Sequence, residues 1–240
     1  MELAEVVGQL TGLRRFPVRS LGGEEPNEVL MQGSSMAGDR VFDLVDEEQG
    51  VALSPATAPR LLRYQARYLD PMVRGEDLSA WIRVALPDGR ELPLTDRAWV
   101  EDVARRCLRP VRLRARGDVA SDPAPLHVLS VQTLRFFETQ YGGPLEAMRL
   151  RSNLLLDLPD GRPFEEDRWI GRNVWVGDVL LEIVRPCDRC VVTTLDAETP
   201  ERSPGILSAI VRGRRGAAGV FARALTGNRL RVGDPVALVG

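Results

Sequence analysis

Apolar and polar positions in this chain alternate over short runs separated by turn residues, and a period of two predicts strands. Residues 3–13 read as a strand entering a turn at Thr11-Gly12, and Leu13 to Leu21 as an extended piece ending in Gly22-Gly23. Glu28 to Met31 is a short strand, followed by a loop from Gly33 to Gly38. Arg40 to Asp46 alternates, with Val41, Leu44 and Val45 apolar and Asp43 polar, and ends in the turn Asp46-Glu47-Glu48-Gln49-Gly50. After a loop from Pro55 to Arg60, Leu61 to Leu69 begins a strand or short helix. Trp81 to Leu86 and Glu91 to Leu94 flank Pro87-Asp88-Gly89-Arg90, a hairpin signal with an Asp-Gly turn. Ala98 to Arg106 has helical spacing instead, with Val100, Val103 and Cys107 on one face.

The turn-rich stretch from Arg114 to Pro125 is the best candidate for a boundary. Leu126 to Ser130 follows as a buried strand, and Ser130 or Thr133 caps a helix running to about Tyr141. Arg149 to Asp157 reads as a strand, Leu158 to Gly161 as a turn, and Trp169 to Gly177 leads into a strand at Val179 to Val184. Asp196 to Gly205 is rich in turns, and Ile206 to Arg212 is a short helix. Val220 to Leu225 and Leu230 to Val239 then close the chain as a hairpin around Thr226-Gly227-Asn228. Strands outnumber helices, no repeat recurs at a fixed period, and the fold class is β-rich α+β.

Composition narrows the picture only a little. At 240 residues, with 44% hydrophobic and 28% charged, the chain can bury one large core or two moderate ones. A net charge of -2 gives no global pull toward nucleic acid or an acidic membrane. All 32 basic residues are Arg, a bias that puts Arg where a related protein carries Lys. The exchange matters wherever bidentate contacts count. Three cysteines do not make a secreted disulfide framework, the N-terminus lacks a signal-peptide pattern, and no apolar run is long enough to span a bilayer. A cytoplasmic protein is expected.

The chemistry concentrates between Leu181 and Asp196, where Cys187-Asp188-Arg189-Cys190 lies between two runs of strand-forming residues. Pro186 rules out an ordinary helix there and suggests a break between two strands, with a thiol at the sheet rim. An Arg-flanked thiol at such a turn favours its thiolate, a nucleophile and a soft metal ligand. Several readings of the pair stay open. A zinc knuckle needs a second ligand pair, and Cys107 with His127 is a poor substitute. A thioredoxin-type pair belongs at a helix start in a βαβ unit, which is missing. A single thiolate ligand or nucleophile beside a structural cysteine is the third reading, and two half-buried cysteines without chemistry the fourth. His127, the single histidine, sits in an apolar strand and fits a core role at least as well as a catalytic one. Dinucleotide and P-loop glycine patterns are absent.

The wider context resembles the MOSC family, named for the C-terminal part of molybdenum cofactor sulfurase. The resemblance rests on Arg151-Ser152-Asn153, Pro163 to Gly171, Val176-Gly177-Asp178, the Cys pair, Thr193-Thr194, Asp196 and Val232 to Val236. Upstream, Phe16-Pro17-Val18-Arg19-Ser20 and Gly38-Asp39-Arg40 resemble the N-terminal β-barrel region of one branch, that of the amidoxime reducing components. The resemblance implies a MOSC-type β-barrel domain over 119–240, packed with an N-terminal β-barrel-like region over 1–118. It implies a molybdenum cofactor (Mo-molybdopterin) with Cys190 as metal ligand and catalytic residue, and Cys187 as a packing neighbour. Arg19, Ser20, Arg40, Arg151, Asp188, Arg189, Cys190 and Phe221 match cofactor-contacting positions. Arg forks suit a buried polyanion because they grip phosphate bidentately.

There are departures: Arg19 stands for Lys, Pro123 and Ala124 replace Ser/Thr donors, and Ser152 replaces a common Pro. The implied activity is reduction of small N-hydroxylated compounds (hydroxylamines, amidoximes, N-hydroxy bases). Electrons would come from a separate protein of ferredoxin or flavin-reductase type, because three cysteines are too few for a cluster. No nucleic acid, membrane or pyridoxal phosphate partner is expected. A carrier of cofactor, or of persulfide on Cys190, is the alternative, and a barrel that has lost its cofactor a third.

Overall fold

The computed structural model describes residues 5–73, 75, 77–117, 122–197 and 202–239. The expected boundary at 118/119 therefore lies outside the described residues. The first strand, β1 (Glu5–Leu13), does not turn at Thr11-Gly12 but runs through it, and a bulge between Leu10 and Gly12 absorbs the irregularity. Next come β2 (Glu28–Gln32), β3 (Ser35–Met36) and β4 (Phe42–Asp46). A short 3-10 turn at Pro59–Arg63 precedes β5 (Gln65–Tyr68), so Leu61 to Leu69 holds both of the alternatives expected for it. The Asp-Gly hairpin forms as β6 (Ile82–Ala85) and β7 (Glu91–Pro93). Helix α1 (Arg97–Cys107) is capped by the Asp96 carboxylate, which accepts from the Ala98 N–H at 2.9 Å, and strand β8 (Val111–Ala115) follows.

Strand β4 departs from the alternation seen in sequence, because it is buried on both faces. Asp43 and Asp46 can be buried because β8 and its neighbour supply cations. Arg114 grips Asp43 through two hydrogen bonds at 3.0 and 2.6 Å, and Arg109 reaches Asp46 at 3.3 Å.

The second half contains β9 (Leu126–Ser130), α2 (Val131–Tyr141), β10 (Leu154–Asp157), β11 (Asn173–Val176), β12 (Val179–Asp188), α3 (Pro204–Arg214), β13 (Ala217–Thr226), β14 (Arg229–Arg231) and β15 (Pro235–Leu238). Seven strands close into a barrel in the order β1-β10-β9-β13-β12-β11-β15. One stave, β1, comes from the first thirteen residues, so the barrel draws on both sides of the 118/119 division. Alternating burial along β12 follows the apolar pattern Val179, Leu181, Ile183, whose side chains join Leu10, Val128 and Val220 in the barrel core.

Three expectations about strands need correction. Arg149 to Asp157 is not all strand; pairing begins only at Leu154, because Arg151 has a left-handed backbone with φ 53°. Pro186 does not break β12, which continues to Asp188 through three register irregularities, two of them flanking the proline. It lies beyond the last β11 pairing, where only β13 is a neighbour and a missing N–H costs nothing. The last strands do not form a hairpin with β13: β14 pairs with β2, and β15 pairs with β1 and β11. Closing the barrel satisfies backbone groups that a terminal hairpin would leave at an edge.

Helices α2 and α3 cover one side of the barrel through Leu129, Phe137, Leu145, Ile206 and Ile210. Ser130 caps α2 by accepting from the Thr133 N–H at 3.1 Å, and donates its own hydroxyl to Glu166 at 2.7 Å. Glu166 is fully buried, and that burial pushes its carboxyl above the usual carboxylate range. The N-terminal region has its own core around Trp99 and Tyr64, held by β4-β8 and β5-β6-β7.

Candidate functional site: an arginine cluster and an exposed thiol

The arginines singled out in sequence come from positions 19, 40, 151 and 189, and three of them bear on the fourth, Arg151. The Arg151 guanidinium is pushed down to about 9, first by burial, then by the Arg40 charge, with Arg189 and Arg19 adding to it and Asp39 opposing. Its Nη1 donates to the Leu21 carbonyl at 2.7 Å, and its Cζ sits over the Phe16 ring, 4.0 Å from the ring centre. Arg40 lies over the same ring at 5.0 Å, donates to Asn153 Oδ1 at 3.1 Å and to the Arg151 carbonyl at 3.3 Å, and pairs with Asp39. A ring face can carry cations that a carboxylate alone could not hold together.

Asp39 and Asn153 organise this cluster from beneath. Asp39 is buried, accepts the Phe16 N–H at 2.7 Å and accepts from Asn153 Nδ2 at 3.1 Å. Asn153, also buried, donates its second amide hydrogen to the Arg14 carbonyl at 3.1 Å and accepts from the His127 N–H at 3.1 Å. One side chain thus ties the N-terminal region to the barrel strand β9. None of Phe16, Asp39 or Asn153 was singled out as a site residue in sequence. Each lies inside a motif that was noticed for its arginine, and that adjacency was the available signal.

Backbone conformation marks the same place. Among the described residues, six non-glycine residues have positive φ, and Ser20, Arg40 and Arg151 are three of them, at 77°, 54° and 53°. Left-handed backbone at such residues costs on the order of 1–3 kcal/mol each and tends to gather where side chains must be aimed. Ser20 does not turn its hydroxyl toward the arginines; it donates to the Leu53 carbonyl at 2.8 Å. Arg19 is exposed, and its N–H donates to the Phe42 carbonyl at 2.7 Å.

At the end of β12, Asp188 is exposed, Cys187 is buried and Cys190 is exposed. Val191–Thr194 is a 3-10 turn and not the expected second strand, and Cys190 stands at its start in extended conformation. The Thr193 and Thr194 hydroxyls donate back to the Cys190 and Val191 carbonyls at 2.9 and 2.7 Å, which closes this turn. Burial raises the Cys187 thiol despite Arg189 beside it, so the expectation of a favoured thiolate does not hold for that cysteine. Arg189 donates to Cys187 Sγ at 2.9 Å and to the Leu150 carbonyl at 2.6 Å, while its Nε is buried with no partner among the described residues. A buried donor of this kind needs an acceptor.

Phe221 is half-buried on β13; the Arg185 guanidinium covers it at 4.3 Å, and the His127 ring lies 6.0 Å away. His127 is buried, bonds through Nε2 to the Ala218 carbonyl at 2.9 Å, and is pushed down to about 3 by burial, with Arg189 and Arg40 adding to the effect. It is a neutral core histidine. A cleft of about 640 Å³ opens beside Arg151, walled also by Leu62, Tyr141 and Val192, with Arg149, Glu146 and Asp196 as its other charged groups. Among the described residues, no three His, Cys, Asp or Glu side chains form a metal cage. No helix among them is long and apolar enough to cross a membrane.

The chain is thus a closed seven-stranded β-barrel in which Arg40 and Arg151 share one aromatic ring and, among the described residues, Cys190 is the exposed thiol. Residues 118–237 match the MOSC domain, and the chain belongs to that family. It is 30% identical over 148 residues to mitochondrial amidoxime-reducing component 1 of Mus musculus, a match covering 60% of this chain and 42% of the mouse protein. It is 37% identical over 68 residues to molybdenum cofactor sulfurase of Drosophila mojavensis, covering 28% of this chain and 8% of that protein. The chain thus spans less than half the length of these curated relatives. The YUAD protein of Bacillus subtilis shares the fold, with a TM-score of 0.51 at 11% identity over 99% of this chain and 100% of that one.

Proposed function

We propose that this protein binds a molybdenum cofactor and reduces small N-hydroxylated compounds with electrons from a separate ferredoxin- or flavin-type partner. The observation that carries the reading is geometric: Arg40 and Arg151 lie over one Phe16 ring, Arg40 also donates to the Arg151 carbonyl, and Arg189 donates to the neighbouring Leu150 carbonyl, with Asp39 as the carboxylate paired to Arg40. Two guanidiniums over one ring, both on left-handed backbone, suit a polyanion, and the unpartnered Arg189 Nε calls for an acceptor. Both features suit the phosphate and dithiolene of a pterin cofactor. Cys190 supplies an exposed soft ligand one residue from Arg189. A chain division into 1–118 and 119–240 belongs to the same proposal, with β1 crossing into the barrel.

When bound, the cofactor supplies two-electron oxygen-transfer chemistry at its metal. The chain's own part is to hold, orient and shield. Arg40 and Arg151 are fixed by Phe16, Asn153 and the Leu21 carbonyl, and present preset positive charge to an anion. The cleft beside Arg151 leaves room for the unreactive part of a substrate. Reduction of an N–OH group consumes two electrons and two protons and releases water. His127 is no proton source for it, because it stays neutral at pH 7 and its ring nitrogen is committed to Ala218.

An anaerobic assay tests the reading: protein made in a cofactor-producing host, dithionite-reduced methyl viologen as donor, and benzamidoxime as substrate. Viologen oxidation matched by benzamidine formation supports it, and no turnover by metal-loaded protein refutes it. The exposure of Cys190 also suits a persulfide carrier. Metal-free protein bearing a cyanide-labile sulfur would favour that second reading.

A further inference from the structure

The first cysteine of the pair has a contact that packing alone does not call for. Cys187 Sγ is fully buried and accepts a hydrogen bond from Arg189 Nη1 at 2.9 Å. Arg189 is otherwise anchored by Nη2 on the Leu150 carbonyl at 2.6 Å and by its backbone N–H on the Gly216 carbonyl at 2.8 Å. Two of the guanidinium's three nitrogens are thus pinned, one to a sulfur and one to a carbonyl. The third, Nε, is the buried one without a partner among the described residues. A planar guanidinium held at two corners has its third N–H direction set as well.

We infer that Cys187 is a positioning residue: its sulfur and the Leu150 carbonyl lock the Arg189 guanidinium so that the Nε–H stays directed at the bound cofactor. This rests on the cofactor reading above. It also gives the two cysteines separate tasks, with Cys190 free to bind metal and Cys187 committed to orienting the residue between them. A sulfur suits the task because it sits at the end of the bulged strand, where Pro186 and Asp188 pair with Val220 and Ala217 across an irregular register. The side chain is short and rotationally restricted there, so the acceptor cannot wander.

Three variants of the full chain, made in a cofactor-producing host, separate orientation from packing. Cys187→Val fills the space without an acceptor, Cys187→Ser keeps an acceptor, and Arg189→Ala removes the oriented group. Two readouts are taken: pterin and molybdenum per chain after gel filtration, and the Arg189 Nε–Hε NMR cross-peak. The expected result for Cys187→Val is a loss of cofactor occupancy of about tenfold, as for other residues that orient ligand-binding groups. Its Hε peak should shift and broaden, while Cys187→Ser recovers most of both. Adding Cys187→Val to Arg189→Ala should cause no further loss.

An unchanged Hε peak or unchanged occupancy in Cys187→Val overturns the inference. So does an equal fall in the Val and Ser variants, which would mean that the site measures volume. If wild-type protein carries no pterin at all, the cofactor reading fails on its own, and the Hε peak of Cys187→Val against Cys187→Ser still decides whether Cys187 holds Arg189.

Discussion

The guanidinium carbon of Arg151 lies over Phe16, 4.0 Å from the ring centre, across 135 positions of chain. Phe16 is fully buried and lies under Arg40 as well. Replacing it with Leu keeps the apolar volume roughly but removes the ring face from both cations. Phe16→Leu should lower stability by about 1–2 kcal/mol and reduce cofactor retention. Urea unfolding and pterin content check this, and a variant equal to wild type in both would show that the ring is only filling.

Asp39 is the buried carboxylate among these arginines, so its removal leaves like charges facing each other. Asp39→Asn should destabilise the protein by about 3 kcal/mol, as expected when one partner of a buried pair is removed. Added pyrophosphate should then raise the thermal midpoint of the variant more than that of wild type, because an external anion replaces the missing charge. Equal midpoints with and without the anion in both proteins would contradict a shared anion site.

His127 gives a pH dependence that can be read without ambiguity, since the chain has a single histidine. Its folded value is pushed down to about 3 from an ordinary 6.5, chiefly by burial. Between those values the unfolded chain binds a proton that the native ring does not. Stability from this group is therefore complete above 6.5 and is lost as pH falls toward 3, at about 1.4 kcal/mol per pH unit. Long-range imidazole NMR should find no native-state titration between pH 8 and 5. A midpoint near 6.5 in the folded protein would place the ring in solvent.

Two glycines separate backbone strain from crowding. Gly219 and Gly171 both have positive φ, at 74° and 80°. A Cβ at Gly219 would meet the Val128 carbonyl oxygen at 2.4 Å and His127 Nε2 at 2.7 Å, whereas one at Gly171 has nothing within 4 Å. Gly171→Ala should cost about 1 kcal/mol. Gly219→Ala should cost at least twice that, because β9 must move where it carries His127. Thermal melts of the pair check it; equal losses would mean that the β9–β13 approach is looser than drawn.

Parts of the fold were legible because strand-forming runs end in turns: the barrel strand Leu126 to Ser130 and, outside the barrel, the Asp-Gly hairpin are where the pattern placed them. What local pattern could not supply was pairing. β15 returns to β1 to close the barrel, and β14 pairs with β2 in a separate sheet, long-range choices that no single run of residues contains. The arginines were visible through their motifs, but not that Arg40 and Arg151 share one aromatic ring, nor that Asn153 links Asp39 to β9. Pro186 misled because a proline's cost depends on which neighbour a strand has on its N–H side. Cys187 looked like filler because a buried sulfur is usually inert, and only the Arg189 contact distinguishes it.

The most direct measurement is molybdenum and pterin per chain in wild type and Cys190→Ser, both produced in a host that makes the cofactor. Wild type should carry metal near one equivalent, and Cys190→Ser should lose the metal while its fold and far-UV spectrum stay intact. Metal retained equally by both proteins, or absent from wild type under those conditions, would contradict Cys190 as the ligand and the arginine cluster as the cofactor's seat.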